Sequence, residues 1–168
     1  MGRALAVKLA SEGCHVAMCD VNTDNLAAAQ ARGVAVFNSP FGNTRSVAEL
    51  ILGEIIMLSR QIFMRSTACH AGNWRKSAKG SHEVRGKTLG IVGYGHIGSQ
   101  LSVLAEALGM KVRYYDVVSK LPLGNAQSCD SLPELLGLAD FVSLHVPDTE
   151  LTRNMIGAEE LAAMRPGT

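Results

Sequence analysis

Three glycines and one aspartate carry the most legible chemistry in this chain. Gly93, Gly95 and Gly98 stand in the spacing Gly-x-Gly-x-x-Gly, and Asp116 ends the next apolar run. The glycines follow one apolar run (88–92) and open an amphipathic stretch, which is the context a dinucleotide-binding turn requires. Gly93 permits a tight turn, Gly95 lets the backbone approach a pyrophosphate, and Gly98 lets the helix pack closely on the strand. The N–H groups and dipole of the helix start attract the phosphates. Asp116 can accept hydrogen bonds from the adenosine ribose, and its charge repels a 2′-phosphate, so the pattern predicts NAD rather than NADP. His96 lies where phosphates and not a reacting carbon would sit. It is expected to contact the cofactor through its backbone, with its imidazole exposed, and not to act as a base. His145 closes a later apolar run, at the end of the sheet where ligands bind. For it, a packed imidazole and a direct contact are both open readings.

The elements that must position these residues read as strand, turn, helix, strand. After Gly98, Leu101, Leu104, Ala105 and Leu108 recur at helical spacing, and Gly109 supplies a stop. Residues 110–115 then run to Asp116. Ser131-Leu132-Pro133-Glu134 has the form of a capping box with proline in the first turn. Residues 140–146 read as a third strand ended by Pro147, and 158–164 as a last helix stopped at Pro166-Gly167. Upstream, Ser46-Val47-Ala48-Glu49 is a second capping box, opening a helix with Val47, Leu50, Ile51, Ile55 and Leu58 on its apolar side. Residues 33–37 read as a short strand, and 65–86, with the single Trp74, as a polar, irregular arm.

The expected fold is therefore α/β: a partial doubly wound, Rossmann-type parallel sheet, truncated after its third strand, with a helical arm and an N-terminal helix-strand fragment. The expected division is 1–32, an N-terminal remnant; 33–86, strand, long helix and arm; and 87–168, an incomplete dinucleotide-binding half-domain. The three strands are expected in the spatial order 3-2-1, which leaves 88–92 as a bare edge and predicts marginal stability and self-association. Residues 3–10 are amphipathic, and residues 2–20 align without gaps on 98–116, Gly2 on Gly98, Gly13 on Gly109 and Asp20 on Asp116. The start of the chain thus looks like a second dinucleotide-type unit.

Composition sets bounds on partners. Hydrophobic residues make up 47% and charged residues 18%, enough for a packed core. Sixteen basic against fifteen acidic residues leave a formal charge of +1, with no electrostatic footprint for nucleic acid or an anionic membrane. Cys14, Cys19, Cys69 and Cys129 form no Cys-x-x-Cys pair, so no metal is expected and the thiols read as reduced, in the cytoplasm. The apolar stretch 50–58 is far short of the ~20 residues of a membrane helix.

Three stretches resemble a known family: Val34 to Leu50, with Asn38-Ser39-Pro40-Phe41-Gly42-Asn43-Thr44-Arg45; Val84 to Gly98; and Asn154-Met155-Ile156-Gly157. Over roughly residues 25–168 the chain resembles the D-isomer-specific 2-hydroxyacid dehydrogenases, and within them the phosphoglycerate-oxidising branch of bacteria and fungi. The resemblance implies oxidation of 3-phosphoglycerate with NAD in the first step of serine synthesis. It implies cofactor contacts at Gly93, Tyr94, Gly95, His96, Ile97 and Gly98, at Asp116, at His145, Val146, Pro147 and Thr152, and at Val47 near the nicotinamide. It makes Asn43 a substrate-side residue and implies a homodimer or tetramer through residues 43–86. The family's catalytic arginine, glutamate and histidine are expected after Thr168, so no residue here is assigned a catalytic role, and the chain is expected to bind without turnover. Residues 1–21 look more like a piece of a short-chain dehydrogenase, joined within 20–30. Alternatives are a partner chain supplying the catalytic residues, a non-catalytic NAD-binding or oligomerisation module, and a formate, lactate or glycerate substrate class.

Overall fold

The computed structural model describes residues 41–168 continuously and, before them, residues 8, 11–12, 17–18, 27–28, 31 and 35–36. The chain divides into two units, Met1–Gly42 and Asn43–Thr168. In the first, strand β1 (Ala17–Met18) pairs in parallel with β2 (Ala35–Val36), which falls inside the expected strand at 33–37. The expected helix over 3–10 and most of the repeat over 2–20 lie outside the described residues.

The second unit runs α1 (Thr44–Ser59), α2 (Ile62–His70), β3 (Thr88–Val92), α3 (His96–Ala107), β4 (Lys111–Tyr115), β5 (Gln127–Ser128), α4 (Leu132–Leu138), β6 (Phe141–Leu144) and α5 (Ala158–Ala163). Its strands form one parallel sheet in the order β5-β4-β3-β6. Leu89 is in register with Val112 on one side and with Phe141 on the other.

This order corrects the one expected from sequence. The run at 140–146 does not lie beyond β4; it pairs with the opposite side of β3. The place beside β4 is taken by β5, two exposed polar residues with no apolar alternation to announce them. The sheet has four strands where three were expected, and 88–92 is interior, not an edge. Leu89 and Ile91 are fully buried, as suits a strand covered on both faces and paired on both sides. The expectation of self-association through that strand falls with it.

The pleat of β3 divides the core. Leu89 and Ile91 pack with Leu101 and Ala105 of α3 and with Ala48 and Ile55 of α1. Val92 faces the other way, onto Leu135 of α4 and Cys129. A β-carbon on Gly90 would lie 2.9 Å from Ala139 Cβ, so α4 sits tightly on that face. Full burial of a leucine such as Leu101 or Leu135 contributes about 1.5–3 kcal/mol.

Local signals explain two of the helix ends. Ser131 Oγ accepts the N–H of Glu134, while Glu134 Oε2 reaches back to the N–H of Asp130 at 2.8 Å, one residue before the cap. Helix α3 ends in a Schellman turn: Gly109, at φ 77, donates to Glu106 O and Met110 donates to Ala105 O. The box expected at Ser46–Glu49 does not form. Helix α1 already begins at Thr44, the Ser46 hydroxyl donates to Asn43 O, and Glu49 pairs with Arg45. Helix α2 was not expected. The chain breaks at Gln61 (φ 56) and turns helical again, so only residues 71–86 form the irregular arm. Gln61 Nε2 donates to Gly80 O, and Arg65 donates to Arg75 O and Ser81 Oγ; these bonds tie the arm to α2.

Candidate functional site

The carboxyl ends of β3, β4 and β6 open into a cleft of about 490 Å³. Gly93 and Gly95 line it from the turn after β3, Asp116 and Val117 from the turn after β4, and His145, Val146 and Pro147 from the chain after β6. Thr152 and Met155 close it from the following loop. A crevice at the carboxyl ends of the strands is where open parallel sheets bind their ligands.

The three glycines of the turn meet three different demands. Gly93 has φ 92, and a β-carbon there would lie 2.6 Å from His145 O. Its N–H donates to Tyr115 O at 2.8 Å, and the N–H of His145 donates to Val92 O at 2.7 Å, so three strand ends converge on it. A β-carbon on Gly98 would lie 2.3 Å from Gly93 O and 3.0 Å from Ile91 Cγ2, so this glycine lets α3 press against the turn. Gly95 is different. Its φ of −83 is ordinary, and a β-carbon would meet nothing within 4 Å. No described residue demands a glycine there; the missing side chain leaves room beside the start of α3. That helix has no acidic residue in its first turn, and the first N–H groups of any helix lack partners within it. Open space in front of such a terminus fits a pyrophosphate.

Asp116 is held by the backbone. Its Oδ2 accepts the N–H of Tyr94 at 2.8 Å and its Oδ1 accepts the N–H of Val118 at 2.9 Å. Each carboxylate oxygen keeps capacity for a further donor, so the group can still receive ribose hydroxyls. Tyr94 thus meets Asp116 through its N–H alone. Its side chain is buried and points into the core, stacked on Tyr114.

The ring of His145 sits with Nε2 2.8 Å from Ser143 Oγ, and the residue also lines the cleft. Burial pushes its pKa below the usual histidine value and favours the neutral imidazole. The Thr152 hydroxyl donates to Pro147 O and accepts the N–H of Thr149, which braces the loop after β6. His96 is exposed, while Ile97 is half-buried and Gly98 buried; none of the three walls the cleft. Neither do Asn43 and Val47. Asn43 immediately precedes α1, and its carbonyl accepts the N–H of Val47 and the hydroxyl of Ser46. The structure therefore gathers Gly93, Gly95, Asp116, His145, Val146, Pro147 and Thr152 around one cleft and leaves Asn43 and Val47 at the start of α1.

Sequence reasoning missed the apolar lining. Val117, Leu132, Leu151 and Met155 line the cleft, and Val117 and Leu151 are 88% and 92% exposed. Val117, Leu151 and Met155 lie on loops, where apolar side chains have no periodicity to mark them in the sequence. Among the described residues no group of three or more His, Cys, Asp or Glu is placed to hold a metal, Cys69 and Cys129 are free, and no helix is long and apolar enough to cross a membrane.

Comparisons with known proteins agree with this geometry. Residues 52–168 match the family model described as the NAD-binding domain of D-isomer-specific 2-hydroxyacid dehydrogenases. The chain is 55% identical over 162 residues to the D-3-phosphoglycerate dehydrogenase of Haemophilus influenzae, covering 96% of this chain and 39% of that protein. It is 59% identical over 147 residues to a putative D-3-phosphoglycerate dehydrogenase of Schizosaccharomyces pombe, covering 88% of this chain and 32% of that one. The crystal structure of a D-lactate dehydrogenase with NAD+ from Lactobacillus jensenii superposes with a TM-score of 0.76 at 30% identity, over 96% of this chain and 50% of the other. The chain spans well under half the length of the curated relatives it matches. With 162 of 168 residues matched to the Haemophilus protein, most of residues 1–21 falls within that likeness, so no short-chain dehydrogenase is needed to account for them.

Proposed function

From the premise that the chain belongs to the D-isomer-specific 2-hydroxyacid dehydrogenase family through its NAD-binding domain, we propose that it holds the cofactor for hydride transfer between 3-phosphoglycerate and NAD. The observation that carries the reading is the Asp116 carboxylate, fixed by two backbone N–H groups at the edge of a cleft that begins at the side-chain-free Gly95. The substrate class rests on the 55% identity to the Haemophilus enzyme, and serine biosynthesis is the setting that substrate implies.

In this reading Gly95 and the first residues of α3, His96 and Ile97, receive the pyrophosphate. Asp116 receives the adenosine ribose and disfavours a 2′-phosphate. His145, Val146, Pro147 and Thr152 form the opposite wall. Val47 and Asn43 serve the nicotinamide and substrate end. Bound there, the dinucleotide supplies the carbon that accepts hydride; the residues of this chain bind and orient, and none is assigned the proton transfer. Helices α1 and α2 expose Leu50, Leu58, Phe63 and Met64, and the arm exposes Trp74. We assign this apolar surface within 43–86 to a second copy of the chain, in a homodimer or tetramer, and place the protein in the cytoplasm.

Calorimetric titration of the purified chain with NAD and NADP tests the cofactor reading. Saturable NAD binding is expected, with NADP weaker. Asp116→Ala removes charge-assisted hydrogen bonds of about 1.5–3 kcal/mol, so it weakens NAD roughly 10- to 150-fold and narrows its advantage over NADP. A folded sample with no saturable binding refutes the proposal.

A further inference from the structure

The segment after Asp116 combines two features that do not usually occur together. Val117 and Leu121 are almost fully exposed, and residues 117–123 form neither helix nor strand. Yet the segment is anchored from below by two buried phenols. The Leu123 N–H donates to the Tyr94 hydroxyl at 3.1 Å, and the Tyr114 hydroxyl donates to Lys120 O at 2.8 Å. The two rings stack with centroids 3.9 Å apart.

The direction of these bonds is set by what each group can give. Ser102 Oγ donates to Ser99 O at 2.8 Å, so its lone pair is left for the Tyr94 proton, at 2.7 Å. A one-way relay therefore runs from the Leu123 N–H through Tyr94 and Ser102 to the backbone of α3. The backbone N–H of the same Tyr94 holds Asp116. One residue of the glycine turn thus fixes both the ribose acceptor and the segment that follows it.

Filling the core does not require those hydroxyls. A phenylalanine would stack and bury equally well, and a buried hydroxyl is unfavourable unless it is bonded. Both hydroxyls go to backbone groups of one segment, and that segment places Val117 at the cleft. We propose that Tyr94 and Tyr114 are positioning residues for the adenosine end of the cofactor, holding 117–123 so that Val117 forms the lip of the cleft while neither ring touches the ligand. The proposal rests on the dinucleotide reading above. Its physical basis is pre-ordering: a segment already fixed does not have to lose conformational freedom when ligand arrives.

The test uses Tyr94→Phe, Tyr114→Phe and Ser102→Ala in the full chain. Ser102→Ala removes the partner of the Tyr94 proton but keeps the acceptor for Leu123, so it lowers the melting temperature without releasing the segment. NAD and ADP are titrated by calorimetry well below every melting temperature, and amide exchange is followed over 117–123. Each tyrosine variant is expected to weaken NAD and ADP alike, about fivefold for one lost hydrogen bond. Exchange over 117–123 should quicken in both, while Ser102→Ala keeps wild-type affinity and exchange. Tyrosine variants that bind as the wild type, or a Ser102→Ala loss equal to that of Tyr94→Phe, overturn the proposal while the NAD reading stands. Absence of NAD and ADP binding in the wild type overturns both. Tyr114→Phe decides the matter if Tyr94→Phe does not fold.

Discussion

Alanine at Gly98 and alanine at Gly95 are the same chemical change three residues apart, and the structure assigns them opposite consequences. At Gly98 the new methyl would sit 2.3 Å from Gly93 O, against a normal contact of about 3.5 Å. The obstacle is backbone and cannot rotate away, so α3 must retreat by roughly 1 Å from β3 and its turn. Overpacking of this kind costs about 1–3 kcal/mol, and the better helix propensity of alanine returns at most about 1. A net loss of about 1–2 kcal/mol lowers the melting temperature by roughly 2–8 °C in a chain of this size. At Gly95 the methyl meets nothing within 4 Å and φ is already favourable. Loss of a good helix cap and gain in chain stiffness nearly cancel, leaving a change of about 0.5 kcal/mol. The methyl does occupy the space assigned to the pyrophosphate. An overpacking loss of about 1–3 kcal/mol then appears in binding alone, a roughly 5- to 150-fold weaker NAD complex. Thermal melts and NAD titrations of both variants separate the cases. The reasoning is refuted if Gly95→Ala melts as low as Gly98→Ala, or if it binds NAD like the wild type.

Two further outcomes concern the fold. Burial keeps His145 neutral, so below its usual pKa of 6.5 the unfolded chain binds more protons than the folded one. The stability contributed by the neutral imidazole is present above that pH and is lost as the pH falls below it; denaturant midpoints measured on either side of 6.5 should diverge in the wild type and converge in His145→Gln. Asp140 accepts the N–H of Thr88 through Oδ2 and faces Lys87 and Arg165 through Oδ1. Asp140→Ala leaves the Thr88 donor unsatisfied and should cost about 1–3 kcal/mol in urea unfolding, with Asp140→Asn, which keeps an acceptor, costing clearly less.

The dinucleotide turn was legible because spacing and context agreed: apolar run, Gly93, Gly95, Gly98, helix, and an acid at the end of the next strand. The topology around it was less so. Apolar runs such as 88–92 and 141–144 show that strands are buried, but nothing in them says on which side of a neighbour they pair, so the place of β6 beside β3 is not written in its residues. Strand β5 consists of Gln127 and Ser128, and its pairing comes from β4 rather than from any pattern of its own. Position misleads for Tyr94 as well. It sits inside the ligand-binding turn, but the neighbouring Tyr114 and Ser102 draw its ring inward, and only its N–H faces the site. The apolar lip at Val117 and Leu151 was invisible because a loop has no period.

The central place of β3 has a temporal side. It gains β4 as a neighbour soon after it is synthesised, but its other side is not covered until Phe141–Leu144 has emerged. A chain growing from its N-terminus on the ribosome therefore presents Leu89, Ile91 and Val92 on an open strand edge through the whole of that interval. The bond between Asp140 and the Thr88 N–H spans 52 residues, so it cannot form until Asp140 has emerged. Slowing translation between residues 115 and 144 would lengthen this exposure, and chaperone capture of nascent chains should peak there and fall once Leu144 has cleared the exit tunnel.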